Sequence, residues 1–167
     1  MAVLPVVRYP AAVLKTRAEE IEPGAEAEAL ARDLVDTMRA SPACVGIAAP
    51  QVGAGVRAFC MDVTGHKKAV ACHGLVVMIN PVIVSTAGAT VTREGCMSLP
   101  DFTGNVRRAA EVVVEGRLPD GTPLRIETDA FEARALQHEI DHLDGLLFLD
   151  RVASISADLF PRKRYAR

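Results

Sequence analysis

The chain has 167 residues, of which 50% are hydrophobic and 24% charged, a composition that excludes disordered, collagen-like and coiled-coil proteins. At this length we expect one domain spanning residues 1–167. The net charge of −2 lacks the positive excess with which a dedicated DNA-binding protein neutralises phosphate, so no DNA partner is expected. No apolar run approaches the roughly 20 residues of a membrane span, and Pro5 interrupts the short run at the start. We therefore expect a cytoplasmic protein with no membrane partner.

The first predicted element is an amphipathic helix near the amino terminus, over residues 25–40. Leu30, Leu34 and Met38 recur every four residues within it and form one apolar stripe. The Ser-Pro pair that follows should end the helix, because proline disfavours helical backbone at the residue before it. The stripe indicates that this helix covers a sheet.

Strands are predicted in the middle of the chain. The segments 57–63 and 75–79 are rich in β-branched and apolar residues and are separated by glycine and polar clusters. Two further strands, over 111–118 and 123–127, should be joined by a tight turn in which Gly121 supplies a positive φ. These signals predict a largely antiparallel sheet.

A second helix is predicted from about residue 130 to residue 144. Asp129 is placed to cap its first turn, and Glu132 follows three residues later as in a capping box. Gly145 stands where a left-handed residue would stop the helix. Both ends of this helix are therefore predicted from local sequence.

This second helix contains an H-E-x-x-H array, which is typical of catalytic metal sites. His138 and His142 are four residues apart, so both imidazoles lie on one helix face, where one metal ion can bridge them. Glu139 lies beside that face, where its carboxylate can take a proton from water on the metal. We therefore expect Glu139 to be a base and not a ligand.

The third ligand decides the class of metal site. A metalloprotease of the longer H-E-x-x-H-x-x-G-x-x-H type would need a histidine where Phe148 stands, and no glutamate follows Glu139. The ligand must then come from upstream, or from Asp144, Asp150 or Asp158.

Cys96 is the best placed of the upstream candidates. It lies in the segment 94–98, E-G-C-M-S, where a glycine permits close approach of the backbone and which a polar-apolar strand pattern precedes. Its thiolate would complete a Cys-His-His set and leave a fourth position open, as catalytic sites do. The small-residue segment 45–51 ends in Gln51, whose amide can donate to a developing oxyanion.

Three segments, in this order, resemble the peptide deformylases. They are 46–51 (G-I-A-A-P-Q), 94–98 (E-G-C-M-S) and 137–145 (Q-H-E-I-D-H-L-D-G). The stretches 4–10 and 145–150 are also similar to that family, so the resemblance runs over nearly the whole chain. It implies an α+β fold in which antiparallel sheets pack around a central H-E-x-x-H helix, and removal of the formyl group from N-formylmethionine of nascent polypeptides.

The resemblance also implies a cofactor and a ligand set. Cys96, His138 and His142 would hold one divalent ion, Fe(II) in the expected case, with Zn(II) or another divalent ion as the alternative. Glu139 would take the proton of the metal-bound water, and the hydroxide would attack the formyl carbon. Formate and a free amino terminus would result.

Further roles come with the resemblance. Gln51 and the backbone N–H of Met97 would stabilise the tetrahedral oxyanion, after which Glu139 would protonate the leaving amine. The main chain of the formylmethionyl peptide would pair with Val45, Gly46 and Gly95. Because main-chain groups are the same in every peptide, such pairing tolerates many sequences. Val45, Phe131 and Ala135 would line the pocket for the methionine side chain.

The chain departs from the family pattern at two places. Cys44 stands where the glycine-rich stretch commonly begins with glycine, and the segment 100–104 is followed by no basic residue until Arg107. The basic tail 162–167 would allow a weak contact with ribosomal RNA, although a solvated terminus explains it as well. Three other hypotheses remain: a small metallopeptidase with the same ligands, a deformylase for a specialised formylated substrate, and a metal-binding domain without activity.

Overall fold

The computed structural model describes residues 2–163 and has the predicted α+β architecture. The amino-terminal helix, α1 (Ala25–Ala40), ends at the predicted Ser-Pro pair. Leu34 and Met38 are buried in its apolar cluster, and Leu30 packs against that cluster while staying partly exposed. The predicted amphipathic helix is thus confirmed, and it contacts the first two strands of the sheet described next.

In the described part of the chain, eight strands form two sheets, and all named strand pairs are antiparallel. In chain order the strands are β1 (Gly46–Ala48), β2 (Ala58–Met61), β3 (Val76–Ala87), β4 (Thr90–Cys96), β5 (Leu99–Arg108), β6 (Glu111–Arg117), β7 (Pro123–Asp129) and β8 (Leu159–Pro161). The five-stranded sheet has the order β1-β2-β3-β6-β7, and the three-stranded sheet has the order β4-β5-β8. The predicted antiparallel pairing is confirmed.

The predicted strands differ from the observed ones mainly in length. β3 continues to Ala87, eight residues beyond its predicted end at Ile79, and passes Pro81 by means of an irregular pairing with β6 between Ile79 and Val82. The β6–β7 hairpin turns at Gly121, whose φ of 95° is the predicted positive value. The second sheet was foreseen only as a polar-apolar pattern before Cys96.

The second helix, α2 (Ala130–Leu143), lies at the centre of the molecule. Leu136, Ile140 and Leu143 are buried in one cluster with side chains of the five-stranded sheet. Gly145 adopts the predicted left-handed backbone, with a φ of 75°. At this position a Cβ would lie 2.9 Å from the backbone carbonyl carbon of Thr16, so glycine is also required by packing.

The predicted capping box of α2 is wrong. Asp129 is the residue before the first turn, but its side chain makes no capping hydrogen bond. Glu132 turns inward instead and is fully buried. Its carboxylate accepts hydrogen bonds from the backbone N–H of His73 at 2.7 Å and from the Thr128 hydroxyl at 2.8 Å, and its other contact is the His73 ring. Glu132 therefore connects the loop before β3 to α2 by hydrogen bonds. This tertiary contact forms in place of the local cap.

The last short elements close the chain beside the second sheet. A 3-10 turn over Phe148–Arg151 and the short helix α3 (Ile155–Asp158) lead into β8. Within residues 2–163, no helix is long and apolar enough to cross a membrane. Residues 164–167, which form most of the basic tail, lie outside the described residues, and the ribosome contact stays a prediction.

Candidate active site

The two histidines of α2 and the cysteine at the end of β4 lie together. The imidazole rings of His138 and His142 are 4.9 Å apart, centroid to centroid, on one face of the helix. Cys96 Sγ lies 3.4 Å from His142 Nε2, and one ligand atom from each of the three residues lies within 4.8 Å of the others. The chain therefore brings together the three predicted ligands from two different secondary-structure elements.

This donor set fits a divalent transition metal. Thiolate sulfur and imidazole nitrogen bind such ions at about 2.0–2.3 Å, which places neighbouring ligand atoms of a tetrahedral site roughly 3.5 Å apart. The observed 3.4 Å between Cys96 Sγ and His142 Nε2 agrees with that spacing. Among residues 2–163, three protein donors converge here, so a tetrahedral site would have one coordination position for another molecule.

The electrostatics of the three residues favour positive charge between them. Burial raises the pKa of the Cys96 thiol. The charge of His142 and the hydrogen bonds from both histidines outweigh the effect of burial, and the pKa of this thiol therefore lies well below its usual range. Burial lowers the pKa of His138, but its hydrogen bonds with Cys96 and Glu94 outweigh burial and raise that pKa well above its usual value. The sulfur is thus stabilised as the thiolate that metal binding needs.

The other predicted third ligands are bonded to different partners. Asp144 is bonded to Arg57 at 2.9 Å and to Arg17 at 3.1 Å. Asp150 pairs with Lys15, and Asp158 accepts hydrogen bonds from Asn105 and the backbone of Ser154. Of the candidates, Cys96 is the one that the fold brings to the two histidines.

Glu139 lies beside the ligands in a tight enclosure. It is buried, and its Oε2 atom has no hydrogen-bond partner among the residues that the structure describes. A Cβ built on Gly46 would lie 2.6 Å from Glu139 Oε1, so the carboxylate packs directly against the backbone of β1. Burial raises the pKa of Glu139, and positive charge on His138 and His142 acts in the opposite direction. A carboxyl group in this position can hold and release a proton close to the metal ligands.

Gln51 is held next to the cysteine ligand. Its side chain is buried in a 3-10 turn (Ala49–Val52) that follows β1. The amide oxygen accepts a hydrogen bond from the backbone N–H of Ala48 at 3.0 Å, which fixes the orientation of the amide. The amide nitrogen then donates toward Cys96 Sγ at 3.4 Å and Ser98 Oγ at 3.2 Å. One of the two N–H groups can turn from the Cys96 sulfur to an oxygen atom beside the two histidines and the cysteine.

A cavity of about 380 Å³ opens onto this group. The other predicted site residues line it: Val45 and Gly46 from β1 and the residue before it, Gly95 and Met97 beside the cysteine, and Phe131 and Ala135 on α2. Gln51, Cys96, His138 and Glu139 line the same cavity. His142, the remaining predicted ligand, is 1% exposed and lies behind Cys96 and His138.

A buried ionic network behind the ligands was not predicted. The Arg108 guanidinium bonds Glu94 at 2.7 and 2.9 Å and Asp141 at 2.7 Å, and Arg151 bonds the same aspartate. Glu94 Oε2 in turn lies 3.7 Å from His138 Nδ1. The network therefore connects both ligand-bearing elements. Sequence offered only a weak signal for it, since Glu94 and Asp141 stand inside the two ligand motifs and Arg108 stands in neither.

Comparison with known proteins gives one consistent result. The family model described as polypeptide deformylase matches residues 3–158. The peptide deformylase of Syntrophobacter fumaroxidans is 42% identical over 164 residues, which cover 98% of this chain and 94% of that protein. The crystal structure of a peptide deformylase from Legionella pneumophila is similar with a TM-score of 0.82 and 35% identity, covering 92% of this chain and 88% of that one. A class I type b peptide deformylase from Acinetobacter baumannii is similar with a TM-score of 0.84 and 33% identity over 91% of this chain and 100% of that one.

Proposed function

The chain belongs to the polypeptide deformylase family, and from that premise we propose that it hydrolyses the formyl group of N-formylmethionine on nascent polypeptides, releasing formate. The observation that carries the proposal is the convergence of Cys96, His138 and the buried Glu139 in one cavity, with His142 directly behind the cysteine. A nascent-chain substrate implies action in the cytoplasm.

Cys96, His138 and His142 would hold the metal of this metal-dependent family, with Fe(II) as the proposed ion and Zn(II) or another divalent ion as the alternative. Thiolate and imidazole donors suit both ions. When bound, a divalent ion supplies Lewis acidity, which polarises a carbonyl group and lowers the pKa of water.

Glu139 is the proposed proton carrier. Its carboxylate accepts a proton from the attacking water, whose oxygen forms a bond to the formyl carbon. The carbon–nitrogen bond then breaks, and Glu139 delivers the proton to the leaving amine nitrogen. The burial that raises the pKa of Glu139 supports this role, because a carboxyl group that both takes and gives a proton works best when its pKa approaches the working pH.

Gln51 and Met97 are the proposed oxyanion donors. The Gln51 amide is oriented by the Ala48 N–H, and its nitrogen points toward the Cys96 and Ser98 side chains. Met97, whose backbone N–H is the second proposed donor, follows the cysteine and lines the cavity. Donors fixed before the reaction stabilise developing negative charge without a reorganisation cost.

Backbone groups of Val45, Gly46 and Gly95 are proposed to pair with the peptide main chain. All three residues line the cavity, Val45 immediately before β1 and Gly95 near the end of β4. Phe131 and Ala135, with Val45, supply apolar surface for the methionine side chain.

The test combines metal analysis with a formate-release assay. Protein purified without oxygen should contain about one divalent ion per chain and release formate from a formyl-Met tripeptide. Glu139→Gln, which preserves side-chain volume, should lower turnover by about 10²–10⁴-fold while metal content is retained. Glu127→Gln, which changes an exposed glutamate on β7, is the matched control and should retain full turnover.

Other outcomes would point to the rival functions. Internal cleavage of unformylated peptides would indicate a metallopeptidase. Faster turnover of other formylated compounds than of formyl-Met peptides would indicate a specialised substrate. Metal-loaded protein that releases no formate, with or without Glu139, would contradict catalysis altogether.

A further inference from the structure

Arginine side chains from three elements line the cavity around its opening. They are Arg93 on β4, Arg134 on α2 and Arg162 just after β8, and we refer to this region as the cavity mouth. The carboxylates that line the cavity are Glu94, which is already bonded to Arg108, and Glu139, which is buried at the base. The mouth therefore carries more positive than negative charge.

Arg134 lies four residues before His138, so it shares the helix face of that ligand one turn nearer the amino terminus of α2. Its guanidinium carbon is 5.2 Å from the ring centroid of Phe131, and His66 stacks on the same ring at 3.9 Å. Within residues 2–163, no carboxylate oxygen lies within the 4.0 Å of an ion pair with Arg134. Burial lowers the pKa of this guanidinium, and the charge of Glu94, which is already paired with Arg108, acts in the opposite direction.

Arg162 lines the cavity beside Gly95. A Cβ on Gly95 would overlap the Arg162 guanidinium, so the absence of a side chain at Gly95 leaves room for this group. The backbone of Arg162 is fixed by a hydrogen bond from its N–H to the Asp101 carbonyl at 2.8 Å. Arg93 differs from the other two, because it is engaged with Asn105, Thr103 and the ring of Phe160 on its own sheet.

Nearby lysines reinforce the positive potential. Lys67 and Lys68 are exposed in the loop that carries His66. The pKa of His66 is lowered by burial first, and then by the charges of Lys68, Lys67 and Arg134. The ring at the mouth thus experiences a positive field from both the loop and the helix. Clefts lined by one sign of charge attract ligands of the opposite sign.

We propose that Arg134 and Arg162 form an anion subsite at the cavity mouth, which binds the carboxylate of an acidic side chain that follows the formylmethionine. The apolar surface of Val45, Phe131 and Ala135 lies in the same cavity and suits the methionine side chain. The subsite rests on the proposed function, and it makes the enzyme selective for acidic peptides over lysine-containing ones. Main-chain pairing alone would give no such selectivity.

The test compares formyl-Met peptides that carry glutamate, glutamine or lysine at the second or third residue, all amidated so that only the side chain supplies a carboxylate. In low salt, the glutamate peptide should have a kcat/KM about three- to fivefold above that of the glutamine peptide at one of the two positions, with lysine lower still. This preference should shrink in about 0.5 M salt, because screening weakens interactions between exposed charges.

Variants assign the preference to the two arginines. Arg134→Gln and Arg162→Gln should each bring the glutamate-to-lysine ratio toward one, and Arg134→Lys should restore part of it. Arg32→Gln, which removes the same charge from the exposed face of α1, is the matched control and should leave the ratio unchanged.

Equal rates for glutamate, glutamine and lysine peptides in the unmodified protein would overturn the subsite even if no variant folded. A preference that survives both glutamine substitutions would overturn its assignment to these arginines. Formate release with equal ratios would leave the proposed function intact, whereas no formate from any peptide would overturn that function and the subsite with it.

Discussion

Gly46→Ala should displace the Glu139 carboxylate and lower activity, although Glu139 itself is unchanged. The new Cβ would lie 2.6 Å from Glu139 Oε1 and 2.9 Å from Cδ, whereas carbon and oxygen atoms in contact prefer about 3.5 Å. The carboxylate must therefore move by roughly 1 Å, and a displacement of that size in a catalytic group costs about 10²-fold in rate. We expect kcat in the formate-release assay to fall by about that factor, with metal content unchanged.

Two comparisons isolate this effect. Gly55→Ala is the matched control, since a Cβ there meets no atom within 4 Å, and it should keep full activity. In a Glu139→Gln background, Gly46→Ala should cost little further activity, because both changes act on the same proton transfer. Full activity of Gly46→Ala, or losses that multiply in the double variant, would refute the argument. Thermal unfolding should be measured in parallel, since overpacking also lowers stability.

Three further predictions concern the scaffold and the thiol at the cavity. Arg108→Ala leaves Glu94 without its cation and Asp141 with Arg151 alone, and it should lower the free energy of unfolding by about 3–5 kcal/mol, as measured by urea denaturation. Arg125→Ala, which removes an exposed arginine, is the control and should change the free energy of unfolding far less. Burial raises the pKa of Cys44 to about 11. Its alkylation by iodoacetamide, followed by mass spectrometry, should therefore rise about tenfold per pH unit between about pH 7 and 10, and a rate independent of pH would be inconsistent with a buried thiol. Gly145→Ala should lower the free energy of unfolding by at least about 2 kcal/mol, because the new Cβ meets backbone atoms and the residue must also adopt an unfavourable positive φ. Gly74→Ala has only the unfavourable φ and should lower the free energy of unfolding by about 1 kcal/mol. Equal losses in these two glycine variants would contradict the packing argument.

The features that were predictable from sequence are those that short-range spacing determines. The i,i+4 histidines define one helix face wherever the helix lies, and Gly145 ends that helix through its own backbone conformation. Alternating and β-branched residues identified β2, β6 and β7 for the same reason. The position of Cys96 beside the histidines could be inferred only by eliminating other ligands and by resemblance.

The features that were missed depend on tertiary partners. Glu132 was expected to cap α2. Its fully buried carboxylate instead accepts hydrogen bonds from His73 and Thr128, which are more bonds than a local cap would give it. Local sequence gives no sign of the pair between Glu94 and Arg108, because charged residues are seldom buried unless paired. Their pairing across β4 and β5 appears only after the second sheet has formed.

The wide sequence separation of the ligands links metal acquisition to the order of folding. Cys96 and His142 are 46 residues apart in the chain and belong to different layers of the molecule. An unfolded or half-synthesised chain cannot present both at once without the entropic cost of closing that loop. A metal ion held by both residues would therefore bind tightly only when β4 lies against α2, and its binding would stabilise that contact between the second sheet and the helix.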